Sequence, residues 1–275
     1  MLQRMLIPLE EYDYSMAAVE YGVHLTSGLA CEITGLSILD LPSIEKSIGP
    51  VPAGANYYAR KQEEQRKQQE QQLAEKIIAE FEQICGSKKI PHRVIQREGD
   101  PEEIIIDESK YHDLLITGWR TSFRYGEEPD KHLQHEVISH GICPVLIIPK
   151  YYRPIHKILL CYDGNNQSTK AIHQFFQFNI YSDKQFTLLT VNNDREEGEQ
   201  LLNKMTEYLK FSKVAFQSVC LSGHPQEAIL TYVNDHDIDL IVLGAYGQKG
   251  ISKFFFGSTT QKLVKNANRP LFIYH

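Results

Sequence analysis

No apolar run in this 275-residue chain approaches the ~20 residues that cross a bilayer. At the start, Met1-Leu-Gln-Arg-Met-Leu-Ile reaches Pro8 and acidic residues before a signal-peptide apolar core can form. The five cysteines, Cys31, Cys85, Cys143, Cys161 and Cys220, are scattered, odd in number and contain no C-x-x-C pair, so they suggest neither a disulfide frame nor a zinc site. A chain without these features is expected in the reducing cytoplasm, with no membrane partner. Catalytic signatures are also missing. No Gly-Lys-Ser/Thr follows a glycine run, and G-x-S-x-G, H-E-x-x-H and kinase-type motifs are absent. The 11 histidines are dispersed and set no metal site. A net charge of −6 argues against general nucleic-acid binding.

What is present is a repeat. Met5-Leu-Ile-Pro-Leu-Glu10, followed by Ser15, aligns with Ile158-Leu-Leu-Cys-Tyr-Asp163, followed by Ser168. Gly99-Asp-Pro-Glu-Glu-Ile-Ile aligns with Gly223-His-Pro-Gln-Glu-Ala-Ile, and Asp113-Leu-Leu-Ile-Thr-Gly118 with Asp239-Leu-Ile-Val-Leu-Gly244. Cys143-Pro-Val-Leu-Ile-Ile148 matches Arg269-Pro-Leu-Phe-Ile-Tyr274. Four blocks in one order mark a tandem duplication, dividing the chain into domains 1–150 and 151–275. The first carries 16 Lys+Arg against 24 Asp+Glu, net −8; the second carries 13 against 11, net +2.

Short Ile/Leu/Val runs alternating with helical segments predict parallel strands covered on both faces. The fold class is α/β: two doubly wound, Rossmann-like domains of five parallel strands each. In the second half strands are expected near 157–163, 186–192, 214–221, 238–244 and 270–274, and helices near 168–179, 196–210, 225–235 and 258–267. The first half carries an insertion from Leu41 to Glu75. One long helix is predicted there, solvated from Arg60 to Gln72 and packed on the sheet through Leu73, Ile77, Ile78, Phe81 and Ile84.

The second half also holds a glycine loop. Gly244-Ala-Tyr-Gly247, nine residues and Gly257-Ser258-Thr259-Thr260 join a buried strand to a predicted helix. Backbone N–H groups at a helix start attract phosphate, and glycine permits close backbone approach. Gly244 and Gly247 would turn tightly over a phosphate or ribose. The N–H groups of Ser258 and Thr259 would cradle phosphate oxygens after Gly257, although Ser258 reads equally as a plain helix cap. In a doubly wound sheet of order 3-2-1-4-5, ligands bind where strand order reverses, and that point brings Asp163 and Gly244 together. An ionised Asp163 accepts hydrogen bonds only, which suits an amino group or ribose hydroxyls; it also reads as a turn residue in Asp163-Gly164-Asn165-Asn166. Val191, ending the second strand, offers backbone groups to a base edge or serves only the core.

The G-x2-G-x9-G-[S/T] pattern at Gly244, Gly247, Gly257 and Ser258, with Asp163 ending the first strand, resembles the ATP-binding branch of the universal stress protein family. The Gly223-His-Pro and Arg269-Pro-Leu-Phe-Ile blocks are similar to the family pattern too. The resemblance implies a 3-2-1-4-5 sheet in each domain and an adenine nucleotide (ATP, ADP or AMP) with Mg²⁺ at its phosphates. It also implies pairing of domains through their last strands, here an internal pseudo-dimer with room for a further homodimer. The first half departs from the motif. Glu10 replaces the aspartate, Thr121 stands where a glycine is needed, Trp119 and Arg120 add bulk, and no Gly-Ser pair follows. Nucleotide is therefore expected in the second half only. Arg120, Arg124, Trp119 and His132, His135 and His140 leave open a different pocket, against a degenerate lobe kept for stability. The expected function is an ATP-binding stress-response regulator rather than an efficient enzyme. A slow ATPase or a non-binding scaffold are the alternatives.

Overall fold

The computed structural model describes residues 1–10, 12–26, 29–48, 56–118, 137–138, 140–179, 183–245 and 268–274. They form two compact units, Gln3–Cys143 and Met1–Leu2 with Pro144–His275.

The Gln3–Cys143 unit contains β1 (Arg4–Leu9), α1 (Tyr12–Leu25), β2 (Glu32–Asp40), α2 (Leu41–Ile48), α3 (Asn56–Ser87), β3 (His92–Gly99), α4 (Pro101–Ser109) and β4 (Leu114–Gly118). Its strands lie in the order β3-β2-β1-β4, all parallel. Successive residues of β1 and β4 are buried, although side chains alternate between faces, so both faces of the sheet are covered. Leu114, Leu115 and Ile116 are each at most 1% exposed. Burying one such side chain stabilises the fold by about 1.5–3 kcal/mol.

The insertion holds two helices where the sequence predicts one. Asp40 ends β2 and accepts from the Ser43 backbone N–H (3.0 Å) and hydroxyl, which starts α2 at once. In α3, Ile77, Phe81 and Cys85 are buried, while Arg60–Lys61 and Gln71–Gln72 are exposed. Leu73 does not join the packed face predicted for it. It is 39% exposed, because the stripe facing the sheet runs Ala74–Ile77–Phe81 and the helix turns 100° per residue, leaving Leu73 on the outer side. Cys85 completes the face.

The other unit contains β5 (Val145–Ile148), β6 (Lys157–Cys161), α5 (Asn166–Gln177), β7 (Gln185–Val191), α6 (Arg195–Leu209), β8 (Phe216–Leu221), α7 (Pro225–Asp235), β9 (Leu240–Gly244) and β10 (Leu271–Tyr274). Strands β8-β7-β6-β9-β10 are all parallel, which is the 3-2-1-4-5 order of a doubly wound sheet. β5 adds antiparallel to β10, with Leu271 opposite Ile147 and Ile273 opposite Val145. The last strand of the first repeat thus belongs to this unit.

Each repeat ties its first strand down with the aspartate that precedes its fourth. The Asp113 carboxylate accepts from the backbone N–H of Gln3 (2.7 Å) and Arg4 (2.9 Å). Asp239 does the same for His156 and Lys157, at 2.9 Å each, and also pairs with Arg153 at 3.0 Å. Phe175 of α5 packs edge-on against Phe272 of β10 (5.2 Å) and near Phe186 of β7 (6.3 Å), so α5 is fixed across the strands that carry the site.

Candidate functional site

Three of the expected ligand residues converge at the C-terminal ends of adjacent strands. β6 lies between β7 and β9, with Leu160 opposite Val242 on one side and Cys161 opposite Leu189 on the other. Asp163 follows the end of β6, Gly244 ends β9 and Val191 ends β7. The chain order reverses here, because β6 is the first strand of its repeat and its neighbours are the second and the fourth. Gly247, Gly257, Ser258 and Thr259 lie outside the described residues, as do Trp119, Arg120, Thr121, Arg124, His132 and His135 of the first repeat. His140 is exposed.

Asp163 is exposed, and three donors orient its carboxylate. Oδ1 accepts from the Asn165 backbone N–H (3.1 Å) and the Ser168 hydroxyl (2.7 Å), and Oδ2 accepts from the Asn165 side-chain amide (2.7 Å). Asn165 in turn caps α5 by accepting from the Ser168 N–H at 2.7 Å. A carboxylate has about four lone-pair sites, so roughly one remains toward solvent for an external donor. Asp163 is therefore a turn residue and a preset acceptor together. Gly164, at φ +79, makes the bend between strand and helix. Sequence reading missed Asn165 and Ser168 as parts of the site; the Asn-x-x-Ser capping spacing beside Asp163 was the available signal.

Gly244 has a packing reason that is separate from any ligand. A Cβ there would sit 2.4 Å from the Gln167 carbonyl carbon and 2.4 Å from the Ser168 nitrogen. The bare backbone thus lets the first turn of α5 close on the end of β9. Gly118 does the same in the first repeat, where a Cβ would lie 2.6 Å from Tyr14 Cδ1.

Val191 is half-buried. The loop after it is firmly held. Asn192 N–H donates to the Leu221 carbonyl (2.8 Å), Asn193 accepts from the Gly223 N–H (2.8 Å), and Asp194 caps α6 through the N–H groups of Glu196 and Glu197. Cys161 is half-buried; desolvation of its thiol and the nearby Asp163 charge push it up to about 12, so it stays protonated.

At the matching place in the first repeat the chemistry differs. Glu10 is 1% exposed; its N–H donates to Ser15 Oγ (2.7 Å) and its Oε1 lies 3.5 Å from the Thr117 hydroxyl. The extra methylene thus turns the carboxylate inward, where Asp163 faces out. Among the described residues no His/Cys/Asp/Glu group could hold a metal ion, and no helix is long and apolar enough to cross a membrane.

Known proteins share this fold. The chain is 24% identical to the universal stress protein Slr1230 of Synechocystis over 289 residues, covering 99% of this chain and 100% of that protein. A solved universal stress protein of Archaeoglobus fulgidus superposes with a TM-score of 0.73 at 19% identity, over 98% of this chain and 97% of the other. A universal stress protein structure from Pseudomonas aeruginosa gives 0.65 at 11% identity over 99% and 93%. The model of the Universal stress protein family matches residues 1–149 and again 154–275, so the chain belongs to the universal stress protein family as a tandem member.

Proposed function

We propose that the second repeat binds ATP, and that the protein is a nucleotide-dependent regulator of the stress-response type. The observation that carries this reading is the meeting of Asp163 and Gly244 on adjacent strand ends at the reversal point of the sheet. Asp163 takes an amino or hydroxyl donor of the adenosine, and Gly244 lets α5 close on β9 so that Ser168 holds the Asp163 carboxylate in place. Val191 offers its backbone to the base edge. Gly247, Gly257, Ser258 and Thr259 are assigned to the phosphates from the sequence motif. Mg²⁺ enters with the nucleotide, neutralising phosphate charge while held by phosphate oxygens. The buried Glu10 supports a first repeat that takes no nucleotide by this mode. The antiparallel β5–β10 pairing supports an internal pseudo-dimer built from the last strands of the two repeats. A cytoplasmic location fits the scattered, free cysteines.

Thermal unfolding with and without Mg·ATP tests the reading. A ligand at a hundredfold excess over its Kd stabilises by about 2.7 kcal/mol. Absence of both a shift and a co-purified nucleotide would favour a scaffold instead. Sustained turnover above about 1 s⁻¹ would favour the enzyme reading.

A further inference from the structure

The sheet of the second unit ends on β8, and this edge differs from its counterpart β3. Gly99 and Gly223, both at positive φ (141° and 108°) and both just before a helix-capping residue, fix the correspondence. Gln217 then matches Arg93, Leu221 matches Arg97, and Tyr232 of α7 matches Glu108 of α4. In the first repeat Arg97 Nη2 reaches Glu108 at 3.0 Å, closing the space between edge strand and helix, and Arg93 Nε lies 3.3 Å from Glu32. Charges on an edge strand discourage pairing with another chain. The second repeat has lost them. Phe216-Gln-Ser-Val-Cys-Leu221 carries no charge, and an open groove of about 640 Å³ runs between β8 and α7. Val219, Leu221, Ala228 and Tyr232 line it, with Glu227 and Asp235 along the helix side. Neither carboxylate forms an ion pair with another described residue, whereas Asp237, beyond the end of α7, pairs with Arg153 and Arg269.

We propose that β8 and this groove bind an extended segment of another protein, added as a strand and carrying two basic residues four positions apart around an apolar one. The spacing follows from geometry. Glu227 and Asp235 are eight positions apart on one helix, about 12 Å at 1.5 Å per residue. Residues i and i+4 of a strand share a face and lie about 13 Å apart. Lys157 Nζ, bonded to the His236 carbonyl at 3.0 Å, stands at the Asp235 end, so Glu227 is the stronger anchor. A second copy of this chain paired β8 to β8 would bring four carboxylates together, which charge disfavours.

The test uses the full chain and a fluorescein-labelled peptide, Thr-Lys-Thr-Val-Thr-Lys-Thr, followed by anisotropy. Saturable binding is expected, weaker by roughly tenfold or more when both lysines become glutamates or when alternate backbone nitrogens are methylated. The double variant Glu227→Lys/Asp235→Lys should reverse the preference between the lysine and glutamate peptides, and Val219→Lys should remove binding with the melting temperature unchanged. The reversal keeps the test valid if Val219→Lys fails to fold. Failure of the lysine peptide to saturate, equal affinity for the methylated peptide, or no reversal would overturn the proposal. So would a wild-type dimer, seen by sedimentation, that Val219→Lys dissolves. None of these readouts depends on nucleotide.

Discussion

Replacing Gly244 by alanine tests how the site is built. The new Cβ would stand 2.4 Å from two backbone atoms of α5, Gln167 C and Ser168 N, whereas ordinary contact begins near 3.4 Å. About 1 Å of displacement is needed, and the atoms in the way are helix backbone rather than a flexible side-chain tip. Overpacking of this kind costs about 1–3 kcal/mol. In a unit of this size that lowers the melting temperature by about 3–5 °C per kcal/mol. The same displacement moves Ser168, whose hydroxyl orients Asp163 at 2.7 Å, so affinity for Mg·ATP should fall at least about tenfold. Gly118→Ala is the internal control. Its Cβ meets Tyr14 at 2.6–2.7 Å, so it should destabilise the first unit while leaving ATP affinity unchanged. Differential scanning calorimetry, which separates the two units if they melt apart, and isothermal titration calorimetry read the two effects. A Gly244→Ala protein with wild-type melting and wild-type affinity would refute the close-approach argument.

Three further outcomes follow from individual groups. His112 is buried, bonded to the Glu108 carbonyl (2.7 Å) and Thr34 Oγ1 (3.0 Å), and burial lowers its pKa. Its contribution is full above the unfolded value near 6.5 and is lost as pH falls below it, so His112→Gln should flatten the acid side of the stability curve measured by urea unfolding. Cys31 and Cys143 have thiols pushed up to about 12 by burial; at pH 8 their thiolate fraction is about a thousandfold below that of a free cysteine, and a disulfide reagent should label them only after unfolding. Asp239→Ala strips the acceptor from His156 N–H, Lys157 N–H and Arg153, costing about 2–4 kcal/mol, whereas the less buried Asp113→Ala should cost about 1 kcal/mol, because water can replace the carboxylate; equal losses in denaturant titrations would contradict this.

The parallel strands of the second unit were legible in the sequence because short unbroken apolar runs such as Leu240–Leu243, separated by helical segments, suit strands buried on both faces, whereas their 3-2-1-4-5 order came from the resemblance to the universal stress protein family. The repeat then carried that reading to the first half. Leu73 was misplaced because the face of a 32-residue helix shifts with each turn, and a polar sequence gives few points to fix the stripe. α2 was missed because Pro42 reads as a breaker, although proline is tolerated in the first turn of a helix. At the site, Asp163 and Gly244 were found as ends of neighbouring strands. Their local partners, Asn165, Ser168 and Gln167, were not, because a side chain's aim and a missing Cβ's neighbours are properties of packing. The groove along β8 left its trace in the sequence only as the loss of Arg93 and Arg97, which acquires meaning once the strand is seen to be an edge.

The proposed function requires a single nucleotide site per chain, in the second repeat. Isothermal titration of the full chain with Mg·ATP measures it directly. One ATP per chain is expected, with binding abolished by Gly257→Val and weakened by Asp163→Ala. Two sites per chain, or one that survives Gly257→Val unchanged, would contradict it.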